Sequence, residues 1–116
     1  MVKDFIFWLT SIAEENPIPD EVDCILFIAS SQDGYCFLQM NGFEGVPDEH
    51  KNCFRPLEAQ FFYSKELQNI SEKILKYRIK YAIEEAFFDK NLKYEYKNKK
   101  IYLMLNKNME YLFHNN

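Results

Sequence analysis

The fold is decided by residues 22–40, which read Val22-Asp-Cys-Ile-Leu-Phe-Ile-Ala-Ser-Ser-Gln-Asp-Gly-Tyr-Cys-Phe-Leu-Gln-Met40. Residues 22–29 are apolar at nearly every position and rich in β-branched and aromatic side chains, which is typical of a strand buried on both faces. Asp33-Gly34 supplies the positive φ that a tight turn needs, and Tyr35 to Met40 returns as a second strand. The sequence therefore predicts a β-hairpin whose first strand lies near the middle of a sheet.

A helix is predicted on the N-terminal side of this hairpin. Four apolar residues recur at helical spacing: Phe5, Trp8, Leu9 and Ile12. The helix should span Phe5 to Glu15 and end at Asn16-Pro17-Ile18-Pro19, because each proline disfavours helix in the residue before it. The apolar N-terminus is interrupted by Asp4 and followed by Glu14 and Glu15, so we interpret it as an amphipathic helix and not as a signal peptide.

A longer helix is predicted to begin at Asn69, with Glu72 completing a capping box. Its apolar face is predicted from residues at helical spacing, widened by Ile83, Ala86 and Phe87: Ile70, Ile74, Tyr77, Tyr81 and Phe88. Lys73, Lys76 and Lys80 should form a solvated stripe on the same helix.

The remaining patterns predict strands. We expect a third strand around Glu58 to Tyr63, and a hairpin from Tyr94-Glu95-Tyr96 through a turn at Lys97-Asn98-Lys99 into Ile101 to Leu105. Asn106-Lys107-Asn108 marks another turn, and Met109 to Phe113 fits either a strand or a closing helical turn. The fold class is α+β, with an antiparallel or mixed sheet of about five to six strands and two helices in the order α-β-β-β-α-β-β.

Length and composition limit the class of protein. The 116 residues are 47% hydrophobic and 17% aromatic, with few Gly and Pro, which indicates one packed domain over residues 1–116. The longest apolar run, Ile25 to Ala29, is far shorter than the ~20 residues that cross a bilayer, so no membrane partner is expected. Placing the hairpin turn near Gln32 puts Cys24 opposite Met40 and Cys36 opposite Ile28, so we expect free thiols in a reducing compartment.

Charge is distributed unevenly along the chain. Residues 1–60 hold eleven acidic and three basic residues, a net charge of −8, and the remainder carries +4 because the whole chain carries −4. An acidic half disfavours nucleic acid as its partner and suits a basic protein, since complementary fields speed and orient association. An ordinary solvated surface is the alternative explanation.

Candidate catalytic and metal sites are weak. His50 and Cys53 have a spacing compatible with a metal site or a cysteine nucleophile, but a loop histidine and a packed cysteine explain them more simply. Gly42 and Gly45 are followed by acids and Pro47, which would repel a phosphate. Adjacent acids such as Asp48-Glu49 and Glu84-Glu85 are usually solvated. We therefore expect no enzyme activity, no cofactor and no metal.

One family resemblance follows from the N-terminal part of the chain. Residues 15–22, Glu-Asn-Pro-Ile-Pro-Asp-Glu-Val, lead into an apolar strand, an Asp33-Gly34-Tyr35 turn, a second strand, and Gly42 with an acidic loop. This arrangement resembles immunity proteins of bacterial polymorphic-toxin systems, including contact-dependent growth inhibition, over about the first 55 residues.

The resemblance implies a cytoplasmic protein that binds and neutralises one cognate toxin domain, commonly a nuclease with a basic surface. The residues expected to bind this partner are six acids and three anchors: Asp20, Glu21, Asp33, Glu44, Asp48, Glu49, Phe43, His50 and Phe54. Phe43 and Phe54 could instead pack the loop onto the core. The alternative function is an adaptor or oligomer subunit that pairs through an exposed sheet edge or helix, without a toxin. The sequence leaves the toxin's activity and the oligomeric state open.

Overall fold

The structure, a computed structural model, describes residues 1–47, 52–54 and 61–116. The helices are α1 (Val2–Glu15), α2 (Glu72–Ala86) and α3 (Lys90–Glu95), with a 3-10 turn at Lys65–Leu67. The strands are β1 (Cys24–Gln32), β2 (Tyr35–Phe43), β3 (Asn52–Phe54), β4 (Lys99–Leu105) and β5 (Asn108–Asn115). None of the helices in these ranges is long and apolar enough to cross a membrane.

The strands form one mixed sheet in the order β3-β2-β1-β4-β5. β1 lies in the middle, antiparallel to β2 and parallel to β4, while β5 is antiparallel to β4 and the three-residue β3 adds to the edge of β2. The α+β class, the mixed sheet and the buried central strand are therefore confirmed.

The β1–β2 hairpin turns on two residues. Asp33 (φ 53°) and Gly34 (φ 82°) both have positive φ, the combination that a type I′ turn requires. The predicted register was wrong because the turn is centred between Asp33 and Gly34 and not near Gln32: Cys24 pairs with Phe43, and Ser31 pairs with Cys36. Cys24 and Cys36 are still not cross-strand neighbours, and both thiols are free.

The helices pack on one face of the sheet. α1 buries the four predicted residues, Phe5, Trp8, Leu9 and Ile12, against alternate residues of the central strand such as Ile25 and Phe27. Phe5 meets Phe27 at 5.6 Å and Phe62 at 5.2 Å between ring centroids, the spacing favoured for aromatic pairs. The main core is the layer between α1, α2 and this face.

The predicted buried face of α2 was wrong in its main stripe, although the residues expected to widen it are buried: Ile83, Ala86 and Phe87. The helix is capped by Ser71, whose Oγ accepts a hydrogen bond from Ile74 N at 3.3 Å, while Asn69 has φ 57° and lies outside it. The core contacts come from five aliphatic residues: Leu75, Ile79, Ala82, Ile83 and Ala86. The predicted stripe is exposed instead, with Tyr77 70% and Phe88 76% accessible. Both stripes have helical spacing, and the aliphatic one faces the sheet.

The tail differs from the prediction in one element. Tyr94-Glu95-Tyr96 belongs to or directly follows α3 and is not a strand, because Asp89 Oδ1 caps this third helix by accepting from Leu92 N at 3.0 Å. The turn at Asn106-Lys107 is confirmed, and the last segment is a strand, β5. In the predicted third strand, residues 58–60 lie outside the described residues, and Phe62 makes only an isolated bridge to Leu38.

Candidate protein-binding surface

The face of the sheet opposite the helices carries a band of apolar and aromatic side chains, which we call the aromatic face. Strand alternation places these residues opposite the core-facing set, and no described helix covers them. They come from β1, β2, β4, β5 and residues 61–63: Ile28, Tyr35, Phe37, Phe61, Tyr63, Tyr102, Met104, Met109 and Tyr111.

The rings of the aromatic face contact one another. Tyr35 lies 5.5 Å from Tyr63, Phe37 lies 5.1 Å from Phe61, and Tyr102 lies 5.2 Å from Tyr111, all between ring centroids. Tyr35, Tyr63 and Tyr111 nevertheless remain 55%, 50% and 51% exposed. Soluble proteins usually expose large apolar side chains singly. A contiguous, half-exposed apolar surface of this kind therefore indicates an interaction site.

A groove of about 800 Å³ runs along one end of the aromatic face. Ile28, Phe37 and Met104 supply apolar side chains, and Asp33, Tyr35 and Lys107 contribute polar groups from the two hairpin turns. An apolar groove with a few convergent polar groups suits an inserted side chain of a partner.

The predicted acidic residues fall into two groups. Asp20 and Glu21 precede β1 and Glu44 follows β2, so antiparallel pairing brings these exposed carboxylates to the same end of the sheet. Asp33 lies at the other end of the nine-residue β1, about 26 Å away at 3.3 Å per residue. The single acidic surface expected from the sequence is therefore divided between the two ends of the hairpin.

The acidic end is held by hydrogen bonds. Asp23 Oδ2 accepts from Gly45 N at 2.7 Å, and Cys24 Sγ donates to Gly45 O at 2.7 Å, which fixes the segment carrying Glu44 beside the start of β1. The buried Lys99 Nζ donates to the Val22 and Pro19 carbonyls, and so fixes the segment that carries Asp20 and Glu21.

The predicted anchors have different environments. Phe43 is 2% exposed and packs with Cys24 and Leu26, so it is a core residue and the prediction that it contacts a partner is not supported. Phe54 is half-buried against the main core. Asp48, Glu49 and His50 lie outside the described residues.

The two described thiols are poor nucleophiles. Burial raises the pKa of Cys24, which the ammonium of Lys100 partly offsets, and burial alone raises the pKa of Cys36 to about 11. Both remain protonated at neutral pH, whereas the thiolate is the reactive form. Within residues 1–47, 52–54 and 61–116, no three His, Cys, Asp or Glu side chains are placed to hold a metal ion.

Sequence reasoning missed the aromatic face. Its signal was present as alternation: Tyr35 and Phe37 in β2, Tyr102 and Met104 in β4, and Met109 and Tyr111 in β5. Alternation cannot tell which side of a sheet the helices cover, so these residues were indistinguishable from core residues.

Comparison of the chain with protein families, with curated proteins and with solved structures gives no match. The function is therefore inferred from the fold and from the surface described above.

Proposed function

We propose that this chain acts by binding another protein through the aromatic face, and that it is an immunity protein which neutralises a cognate toxin domain. The observation that carries the proposal is the contiguous band of half-exposed rings, with carboxylates at both ends of the hairpin that supports it. The resemblance of about the first 55 residues to immunity proteins suggests the kind of partner.

The aromatic face provides the affinity in this proposal. Interface energy concentrates in a few buried aromatic contacts, and Tyr35 and Tyr63 can bury a large ring while their hydroxyls remain available for hydrogen bonds. Both rings are already held by neighbouring rings, at 6.2 Å for Tyr35–Phe37 and 5.5 Å for Tyr35–Tyr63. Binding therefore orders few side chains, which lowers its entropic cost.

The carboxylates provide orientation. A nuclease holds its substrate phosphates with lysines and arginines, and Asp20, Glu21 and Glu44 present carboxylates at one end of the aromatic face to meet such groups. A partner held in this way would lose access to nucleic acid. Neutralisation takes place where the toxin acts, so we place the protein in the cytoplasm, where its free thiols Cys24 and Cys36 suit reducing conditions.

The first test of this proposal is co-expression with the protein encoded immediately upstream, scoring cell survival and co-purification with and without this chain. Tyr35→Ser should weaken binding about tenfold, the loss typical of a truncated interface aromatic. Phe7→Ser is the matched control, because Phe7 is 74% exposed on α1, in the helix layer.

Rescue by the unaltered chain and by Phe7→Ser, with weaker rescue by Tyr35→Ser, supports an immunity protein that acts through the aromatic face. Equal effects of the two substitutions would contradict the assignment of this surface. A harmless neighbour that does not co-purify would favour the adaptor interpretation.

The acidic end should govern the rate of association. We expect the triple variant Asp20→Lys, Glu21→Lys, Glu44→Lys to lower the association rate constant about tenfold at low salt, with a smaller effect as salt rises. The association rate constant is measured at several salt concentrations, by stopped-flow mixing or by binding to an immobilised partner. Glu72→Lys, exposed on α2 in the helix layer, is the control, and an equal loss from it would show that overall charge, not this end, steers the partner.

A further inference from the structure

The outer side of α2 carries a groove of about 420 Å³. Its described lining residues all belong to α2 and follow two rows with a spacing of four residues: Lys73, Tyr77 and Tyr81 in one row, and Lys76, Lys80 and Glu84 in the other. Rows of this spacing are the ridges of an α-helix, and the space between two such ridges receives a ridge of another helix when helices pack. The shape of this surface therefore fits an α-helix.

The first row leaves apolar surface exposed. Tyr77 is 70% and Tyr81 49% exposed, and Ile74, beside Tyr77 on the same side of the helix, is 47% exposed. These residues are three and four positions apart, the spacing of a helix face that packs against another element. The core contacts of α2 come from a different stripe, so this second apolar stripe has no partner within the described part of the chain. Contiguous exposed apolar surface of this kind indicates an interaction site.

The second row makes the groove positively charged. Lys76 Nζ and Lys80 Nζ lie 3.3 and 3.1 Å from the Glu110 carboxylate, so two ammonium groups share one counter-charge. Among the described residues, no carboxylate forms an ion pair with Lys73. With Glu84 included, three ammonium groups face two carboxylates, on a chain whose net charge is −4. A complementary occupant of the groove therefore carries acidic residues.

We propose that the outer side of α2 is a second binding surface, which takes an acidic amphipathic α-helix of another protein. An apolar ridge of that helix enters the groove and covers Tyr77 and Tyr81. Aspartate and glutamate side chains on its flanks meet Lys73 and Lys80. Glu84 lies at the C-terminal end of the groove, where it favours a basic residue of the partner.

This surface is separate from the aromatic face. α2 lies on one side of the sheet and the aromatic face is the other side, so both surfaces can be occupied at once. Their charges also differ, because the carboxylates of Asp20, Glu21 and Glu44 flank the aromatic face, whereas ammonium groups surround the groove of α2. The two surfaces therefore select partners of opposite charge, and this inference does not depend on the proposed toxin partner.

Fluorescence anisotropy with two labelled helical peptides tests the proposal. The first peptide consists of heptads with leucine in one stripe and glutamate on both flanks, and the second has lysine in place of each glutamate. We expect the full chain to bind the acidic peptide and not the basic one. Tyr77→Ala should weaken this binding about tenfold, the loss typical of a truncated interface aromatic. Tyr94→Ala is the matched control, because Tyr94 is 77% exposed on α3.

Charge reversal at Lys73 tests the choice of an acidic partner. Lys73→Glu should weaken binding of the acidic peptide about fivefold at low salt, with a smaller effect as salt rises, and should allow the basic peptide to bind. Lys90→Glu, exposed on α3, changes the net charge equally outside the groove and should leave binding unchanged. All these substitutions are at exposed helix positions, and circular dichroism checks that the variants fold.

Tyr35→Ser distinguishes this surface from the aromatic face and should leave peptide binding unchanged. Failure to bind the acidic peptide, equal binding of both peptides, or equal losses from Tyr77→Ala and Tyr35→Ser would overturn the proposal. Two other occupants have their own readouts: self-association in sedimentation velocity, or binding of a labelled single-stranded oligonucleotide. Either one, if abolished by Tyr77→Ala, would also overturn the proposal. None of these outcomes bears on rescue from a toxin, which co-expression measures.

Discussion

Replacement of Tyr96 by alanine is expected to lower the free energy of unfolding by about 3–5 kcal/mol, a large share of the 5–15 kcal/mol typical of a whole domain. Tyr96 is the largest fully buried side chain in the described structure and has no exposed surface. Its ring meets Phe87 edge to face at 5.9 Å, and its hydroxyl donates to Leu9 O at 2.8 Å. The residue therefore joins the segment after α3 to the middle of α1.

Tyr96→Phe separates packing from hydrogen bonding, because it removes only the hydroxyl. We expect it to cost about 1 kcal/mol, the usual net value of one hydrogen bond. Burial raises the pKa of the Tyr96 hydroxyl far above its usual value, so this donor keeps its proton throughout the working pH range. Urea unfolding curves measure both variants.

Tyr94→Ala is the control for both substitutions, since Tyr94 is 77% exposed on α3 and should change stability by less than about 0.5 kcal/mol. If Tyr96→Ala cost no more than this control, the docking of α3 on α1 would not contribute to the stability of the domain.

Gly34→Ala is expected to cost about 2–3 kcal/mol of unfolding free energy. Gly34 has φ +82°, where an L residue loses about 1–2 kcal/mol. A Cβ at this position would also stand 2.5 Å from Asn69 Oδ1, so the Asn69 side chain or the segment that carries it would have to move. Asn69 N donates to Gly34 O at 2.7 Å, which holds these two segments together in the native protein.

Two further variants divide this cost between strain and contact. Gly45→Ala has the same strain, with φ +76°, but no atom within 4 Å of the added Cβ, so it should cost only about 1 kcal/mol. Asn69→Gly removes the clashing side chain and tolerates φ 57°. In that background the cost of Gly34→Ala should fall by about 1 kcal/mol, measured as a double-mutant cycle. An unchanged cost would show that the Asn69 side chain moves aside freely.

Local patterns of the sequence predicted the parts of the fold that depend on near neighbours. The α1 face of Phe5, Trp8, Leu9 and Ile12 has only one apolar stripe, and the Asp33-Gly34 turn depends on two residues. α2 was different, because it carries an aliphatic stripe and an aromatic stripe at the same spacing. Which of the two stripes is buried depends on how α2 packs against α1 and the sheet, and this packing is a property of the assembled core.

The candidate site could be predicted less well for a related reason. The charges of Asp20, Glu21 and Glu44 are read directly from the sequence, but their separation from Asp33 depends on the register of β1 and β2. α3 was missed because Tyr94 to Tyr96 alternates like a strand, whereas the Asp89 cap starts a helix before the alternation can form a ladder. The aromatic face required knowing which side of the sheet the helices occupy.

The parallel pairing of β1 with β4 joins residues 24–29 to residues 100–105, so more than 70 residues separate the two partners in sequence. During synthesis the β1–β2 hairpin leaves the ribosome long before β4 exists, so one edge of β1 remains unpaired until β4 has emerged. The sheet is therefore completed late, and chains that stop before β4 leave the apolar residues of β1 exposed to aggregation and proteolysis.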